Sequence, residues 1–533
     1  MKKIYITLFV LLIAMVAMVY LYFSELTTKY TTNDASLHAA TASSGMVFCL
    51  RNDHDIISIL SGQDDFRRLI GDQKSRDLNL LKNELLSKPE ISLALAGSIV
   101  YLSFMPGTDK DYDYLISTQL NDKEAQPAIL KALKNNRIKT DTSNGMLKLV
   151  LKDSSVFYLD IHDKLLLLSN HTQAITAATS AAAQEKGKDF ANYIKTGDKF
   201  NKNSVANLYL DFNRFPALLK IISPNSTEGE LSIFNRQNAF AALSYNFSKE
   251  RIFFNGSCKI NDGSNYFSLF TGLQPQKNSL DNILPDNTAN FTLFAIPDYS
   301  IWSNALKNWF VLNGKNKMAE KIVANINQKY RLNLDQIFPK YFKNQLISFQ
   351  LKNADKLGAI QLSNGDKVSQ LLLDLSTNYT EDIKQLKEAD LLYCYFGEPF
   401  KKFRRPYYTI IDNYMVFSNY PGILQAFLKN YKSNQLLITT ADYSSLYNQI
   451  SDQANITFYV SHENSSNLIR NTFYTPYVRY ASAAEGFGKF SALIFQLSGD
   501  KNGFQSNFLI NTIPENTKES EQIPEDTVAV NTP

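Results

Sequence analysis

Cysteine is scarce in this 533-residue chain: Cys49, Cys258 and Cys394 lie far apart. Exported folds stapled by disulfides carry more of them, in even number. The chain must therefore hold itself together by core packing. A formal net charge of +4 over the whole length is close to balanced and gives no support to a nucleic-acid binder, which would show a concentrated basic stripe. Tryptophan is nearly absent, with two residues. No H-E-x-x-H, G-x-S-x-G, C-x-x-C or Walker pattern occurs, and the five histidines are scattered. After residue 23 no apolar run is long enough to span a bilayer; Leu165–Leu168 and Leu371–Leu373 are strand-sized.

The one long apolar run is at the start. Residues 4–23 follow Lys2 and Lys3 and hold a single clearly polar residue, Thr7. As a helix they would measure about 30 Å, the thickness of a bilayer's hydrocarbon core. A secretory signal would be shorter and followed at once by a small-x-small cleavage site; Ala40-Thr41-Ala42 comes too late. A retained transmembrane anchor is expected. The lysines before it keep the N-terminus in the cytoplasm and send the remainder outside. The expected location is the cytoplasmic membrane of a bacterium, single-pass, with the bulk of the chain periplasmic. The bilayer is then one partner, through residues 4–23.

About 510 exported residues exceed what one core organises. Phe (35) and Tyr (29) are abundant and favour strands. Four blocks recur in order at nearly constant spacing. Phe48–Asp53 reads against Leu293–Asp298, Asp163–Asn170 against Asp412–Asn419, Ala206–Leu210 against Ala454–Phe458, and Phe240–Leu243 against Phe490–Leu493. The period is far beyond solenoid repeats and implies duplication of whole domains. Each half opens with a strand, Met46–Leu50 or Phe291–Ile296. Asp53 or Asp298 follows, placed to cap a helix. Hairpins come next: 156–161 with 165–169, and 407–411 with 414–418 across Asp412-Asn413, a tight-turn pair. A helix follows each hairpin, over 171–183 and 421–431. Closing hairpins are expected at 241–246 with 251–260 and at 491–497 with 503–510.

The fold class expected is α+β: two tandem copies of a mainly antiparallel sheet, helices on one face of each, after an N-terminal transmembrane helix. The divisions are an anchor (1–23), a flexible stalk (24–44), a first repeat domain (45–272), a linker (273–289), a second repeat domain (290–513) and a disordered acidic tail (514–533).

Asp53-His54-Asp55 reads as a helix cap rather than a metal or general-base site, because its counterpart Asp298-Tyr299-Ser300 keeps the cap without the histidine. Asp109–Asp113 lacks the glycine and distal acid of a calcium loop. Cys49 and Cys258 read against Phe294 and Phe508, as small core hydrophobes. All three thiols are expected reduced and buried, with Cys49–Cys258 the one bridge worth considering. No catalytic, metal or cofactor residue is assigned. Two surface stretches remain. Lys401, Lys402, Arg404 and Arg405 can meet anionic headgroups or acidic polysaccharide. Tyr474, Tyr477 and Tyr480 offer aromatic faces for sugar or peptide.

The anchor 4–23, the strand-then-aspartate openings at Asp53 and Asp298, and the Ser-Asn hairpin exits at 169–170 and 418–419 resemble a family of uncharacterised bacterial envelope proteins. These pair a signal anchor with an extracytoplasmic domain of unknown function. The resemblance implies no activity, cofactor or site residue. The function expected is a non-enzymatic binding or structural role in the envelope, the partner being another envelope protein or a polysaccharide. The alternatives are an envelope enzyme with its site between the halves and a lipid- or lipoprotein-handling protein.

Overall fold

The computed structural model describes residues 34–51, 76, 79–86, 88–95, 97–107, 111–120, 125–135, 138–143, 145–197, 206–223, 237–246, 251–483 and 486–513. The expected anchor (4–23), Asp53-His54-Asp55 with the helix expected after them, Asp109-Lys110 and the tail lie outside the described residues. Among the described residues no helix is long and apolar enough to cross a membrane.

Twenty strands form one antiparallel sheet. Ten come from the first half: β1 (Met46–Arg51), β2 (Ile99–Pro106), β3 (Tyr112–Gln119), β4 (Lys139–Ser143), β5 (Met146–Val150), β6 (Val156–His162), β7 (Leu165–Ser169), β8 (Ala206–Asp211), β9 (Ala239–Asn246) and β10 (Arg251–Ile260). Ten come from the second: β11 (Thr288–Ala295), β12 (Phe342–Leu351), β13 (Lys356–Leu362), β14 (Ser376–Asn378), β15 (Lys384–Leu386), β16 (Tyr407–Ile411), β17 (Tyr414–Ser418), β18 (Ile456–Ser461), β19 (Phe490–Asp500) and β20 (Gly503–Thr512). The first ten lie in the order 4-5-6-7-3-2-1-8-9-10. The second ten lie in the order 14-15-16-17-13-12-11-18-19-20. The two series meet where β10 pairs with β20, from Arg251 opposite Asn511 to Lys259 opposite Gly503.

Local chemistry explains much of this. Asp412 and Asn413 both take positive φ, 46° and 66°, which two-residue hairpin turns demand and Asn and Asp tolerate. Asp298 accepts the Ile301 backbone N–H at 3.0 Å and starts the helix Tyr299–Leu312. The helix expected over 171–183 is broken: Thr172–Thr179 ends at Ser180, whose extended backbone (ψ 122°) turns the chain into Ala181–Gly197.

The sheet is covered on both faces, not one as expected. Alternation along each strand sends neighbours to opposite sides. On one side Phe254, Cys258, Phe504 and Ile510 join a core that runs through both halves, with Ile129 and Trp302 from covering helices. On the other side Val47, Cys49 and Tyr101 pack under Leu37 and Phe190, while Phe291, Leu293 and Ile347 pack under Leu424 and Phe427. The matching of Cys49 with Phe294 is therefore off by one residue. Cys49 shares a face with Leu293, and Phe294 belongs to the opposite core.

Two segments expected to be irregular are built in. Asp34–Thr41 is a helix with Leu37, Ala39 and Ala40 buried, so the stalk expected over 24–44 ends before it. Arg214 holds its end by donating to the Thr41 carbonyl at 2.5 Å. The linker expected over 273–289 contributes Leu280, Ile283 and Leu284 to the second-half core, and Gln276–Lys277 pairs with Gln453–Ala454. Neither segment shows much apolar periodicity, and tertiary packing decides both.

Candidate functional site

The basic stretch is a surface loop pinned from beneath. Phe400 and Phe403 are fully buried against Phe417, with ring centroids 4.8 and 5.1 Å away. Those anchors leave Lys401, Arg404 and Arg405 exposed just before β16. Arg404 Nε lies 3.3 Å from Asp390, and Lys401 Nζ 3.3 Å from Glu398, which Lys315 also approaches at 3.7 Å. Lys402 lies over the Phe403 ring, and its carbonyl accepts from Asn419 at 3.0 Å.

The aromatic stretch is placed elsewhere and is not a loop. Tyr474 precedes a helix, Thr475–Ser482, and its N–H donates to the Ile222 carbonyl at 2.9 Å. Tyr477 packs edge-on against Tyr112 of β3, 6.5 Å between centroids, and Tyr480 against Phe487 at 5.4 Å. All three tyrosines are half-buried. Burial pushes the Tyr477 hydroxyl up to about 12, helped by the nearby Asp111 charge. Nearby, Ser223 Oγ donates to the Thr472 carbonyl at 2.7 Å. These groups tie the first half to the second. The basic loop, by contrast, sits beside β16 near one end of the sheet, so the two candidate stretches do not form a common site.

Sequence reading missed the long-range polar pairs, because their partners are distant in the chain. His171 Nδ1 lies 2.5 Å from Asp113, 58 residues away. Tyr443 donates to Asp281 at 2.7 Å, both buried. Desolvation pushes the Asp281 carboxyl up from its ordinary value, and the Tyr443 hydroxyl partly offsets this. Glu388 accepts from Lys329 at 2.7 Å and Tyr330 at 2.6 Å, and these bonds hold its carboxyl below the usual range. Among the described residues no three His, Cys, Asp or Glu side chains gather as a metal site would require.

The thiols form no disulfide. Cys49 and Cys258 lie in cores on opposite faces, with β8 and β9 between their strands. Burial pushes the Cys258 thiol up to about 12, and Cys394, only partly buried, likewise to about 12. One apolar cavity opens between β2, β3 and β7 and the helices Pro89–Ala94 and Ala125–Asn135, walled by Ile91, Ile116, Ile129 and Leu168. This cavity, about 20 Å³, has room for one molecule of water's size and not for a lipid chain.

No known protein family, curated protein or solved structure matches the chain.

Proposed function

We propose that residues 4–23 anchor the chain in the cytoplasmic membrane of a bacterium and that the remainder stands outside it. There it acts as a binding or structural component of the envelope, built as two copies of one ten-strand unit. The duplication reading draws support from the strand orders, which become identical when ten is added to each first-half number. It draws further support from two buried serines. Ser169 Oγ donates to the Tyr114 carbonyl at 2.7 Å, and Ser418 Oγ to the Lys356 carbonyl at 2.9 Å, each leaving β7 or β17 for the first residues of β3 or β13.

The observation that carries the binding reading is how the junction is filled. Nine residue pairs of β10 and β20 join the halves edge to edge, and Tyr474, Tyr477 and Thr472 close the rim. That arrangement favours function at the outer surface over an enzyme site between the halves. The surface partner is another envelope protein or a polysaccharide, and the basic loop 401–405 is the best-placed contact.

The test is topological. A reporter active only outside the cytoplasm, fused after Pro533, should be active, and a cytoplasm-only reporter at the same point silent. The reverse pattern would sink the location and the envelope role with it.

A further inference from the structure

The helical hairpin of the second half, Tyr299–Leu312 and Asn316–Tyr330, has a complete inward face. Trp302, Leu306, Trp309 and Phe310 fill the core and are at most 4% exposed. Its outward face should then be polar. Instead Ile301, Val311, Leu312 and Met318 are 68, 57, 64 and 46% exposed. Three of these four stand at the tip, on either side of Gly314. The tip is rigid: Gly314 takes φ 65°, Lys315 N–H donates to the Phe310 carbonyl at 2.8 Å, and Asn313 Nδ2 to the Ser264 carbonyl at 3.1 Å. These aliphatic groups are held out by the fold.

Charge surrounds them. From Tyr299 to Arg331 there are six cations (Lys307, Lys315, Lys317, Lys321, Lys329, Arg331) and one anion, Glu320, a balance of +5 against +4 for the entire chain. Lys315 and Lys329 pair with Glu398 and Glu388. Lys307, Lys317 and Lys321 are exposed, with no ion pair among the described residues. A basic helical surface with exposed aliphatic residues is the pattern that lies in the interface of a membrane, its apolar groups at the headgroup boundary. Polysaccharide would be met by charge and flat aromatic rings; the exposed groups here are branched and linear aliphatics.

We propose that the tip of this hairpin docks on the anionic surface of a lipid bilayer. Val311, Leu312 and Met318 enter the interface, and Lys307, Lys317 and Lys321 meet headgroup phosphates. This rests on the envelope location proposed above and names the surface the exported part binds. An anchor in the same bilayer makes docking intramolecular, so modest contact energy suffices.

The protein carries its own probes: its only two tryptophans, Trp302 and Trp309, are both in this hairpin. The full chain would be reconstituted through its anchor into vesicles of phosphatidylcholine alone, or with about one third phosphatidylglycerol, an anionic fraction that attracts basic segments. Brominated acyl chains in either vesicle quench nearby tryptophan. Quenching is expected in the anionic vesicles and not in the neutral ones. A basic residue near an anionic surface is worth about fivefold, so Lys317→Ala with Lys321→Ala should lower the docked-to-free ratio roughly 25-fold. Val311→Ser with Leu312→Ser should abolish quenching with the circular dichroism unchanged. Leu373→Ser, at another exposed leucine, should change nothing. Equal quenching in both vesicles, none in either, or tip variants that quench like the native chain would overturn the proposal. So would capture of the tip by a soluble acidic polysaccharide in place of lipid. None of these results alters the reporter pattern, which tests location by itself.

Discussion

Removing the Tyr443 hydroxyl should destabilise the protein by an amount that depends on pH. Asp281 lies in the second-half core with its carboxyl pushed up by desolvation, and Tyr443 donates to it at 2.7 Å. To the ionised carboxylate the bond is of a class worth about 1.5–3 kcal/mol; to the protonated carboxyl it is worth about 0.5–1.5 kcal/mol. Tyr443→Phe should therefore cost about 1 kcal/mol more at a pH above the Asp281 titration than at a pH below the ordinary carboxylate range. The sign for Asp281 itself follows from linkage. A folded-state pKa raised above the unfolded value favours the native state below the unfolded value, and that contribution is lost as pH rises through the folded one. Asp281→Asn keeps an acceptor for Tyr443 and removes the titration. Relative to the native chain it should gain stability as pH rises through the acid range, and be no less stable at pH 7. Urea denaturation followed by tryptophan emission reads this out, because both tryptophans belong to the second half. Equal losses for Tyr443→Phe at both pH values, or an Asp281→Asn protein weaker than native at pH 7, would refute the reasoning.

Other outcomes are expected. Gly256, between Leu243 of β9 and Ser506 of β20, has no room for a Cβ against the Ala242 carbonyl; Gly256→Val should cost about 1–3 kcal/mol or more, measured as a lower urea midpoint. Cys258 and Cys49 are buried, so a thiol reagent should modify them only after denaturation, and rapid labelling of Cys49 in the native protein would count against its place in the core. Arg404→Ala removes an exposed ion pair with Asp390 and should shift stability by less than about 1 kcal/mol, which double-mutant cycles with Asp390→Ala would measure.

What the sequence shows of the fold is what is local. The hairpin 407–411/414–418 is legible in full, because Asp412-Asn413 tolerates the backbone its turn needs. The Asp298 cap is legible for the same reason. The pairing of β10 with β20 is not, since its partners are some 250 residues apart and nothing near either strand names the other. The off-by-one matching of Cys49 shows a further limit: short apolar words align equally well in two registers, and only burial separates them. The candidate surface divides the same way. Charge makes the loop 401–405 visible in the sequence; the hairpin tip is not, because only the burial of Trp302 and Trp309 fixes which side of its helices faces in.

The β10–β20 ladder also has a consequence for how the molecule is made. Strand β20 spans Gly503–Thr512, so the edge of β10, ready once residue 260 has been made, stays open until some 240 further residues have followed. As the chain is made from its N-terminus, the first half waits through some 240 further residues with the nine residues of β10 that pair with β20 open on that edge, an invitation to wrong partners. Removing β20 would then harm the distant first half as well as the second, because its pairing is what closes the open edge of β10.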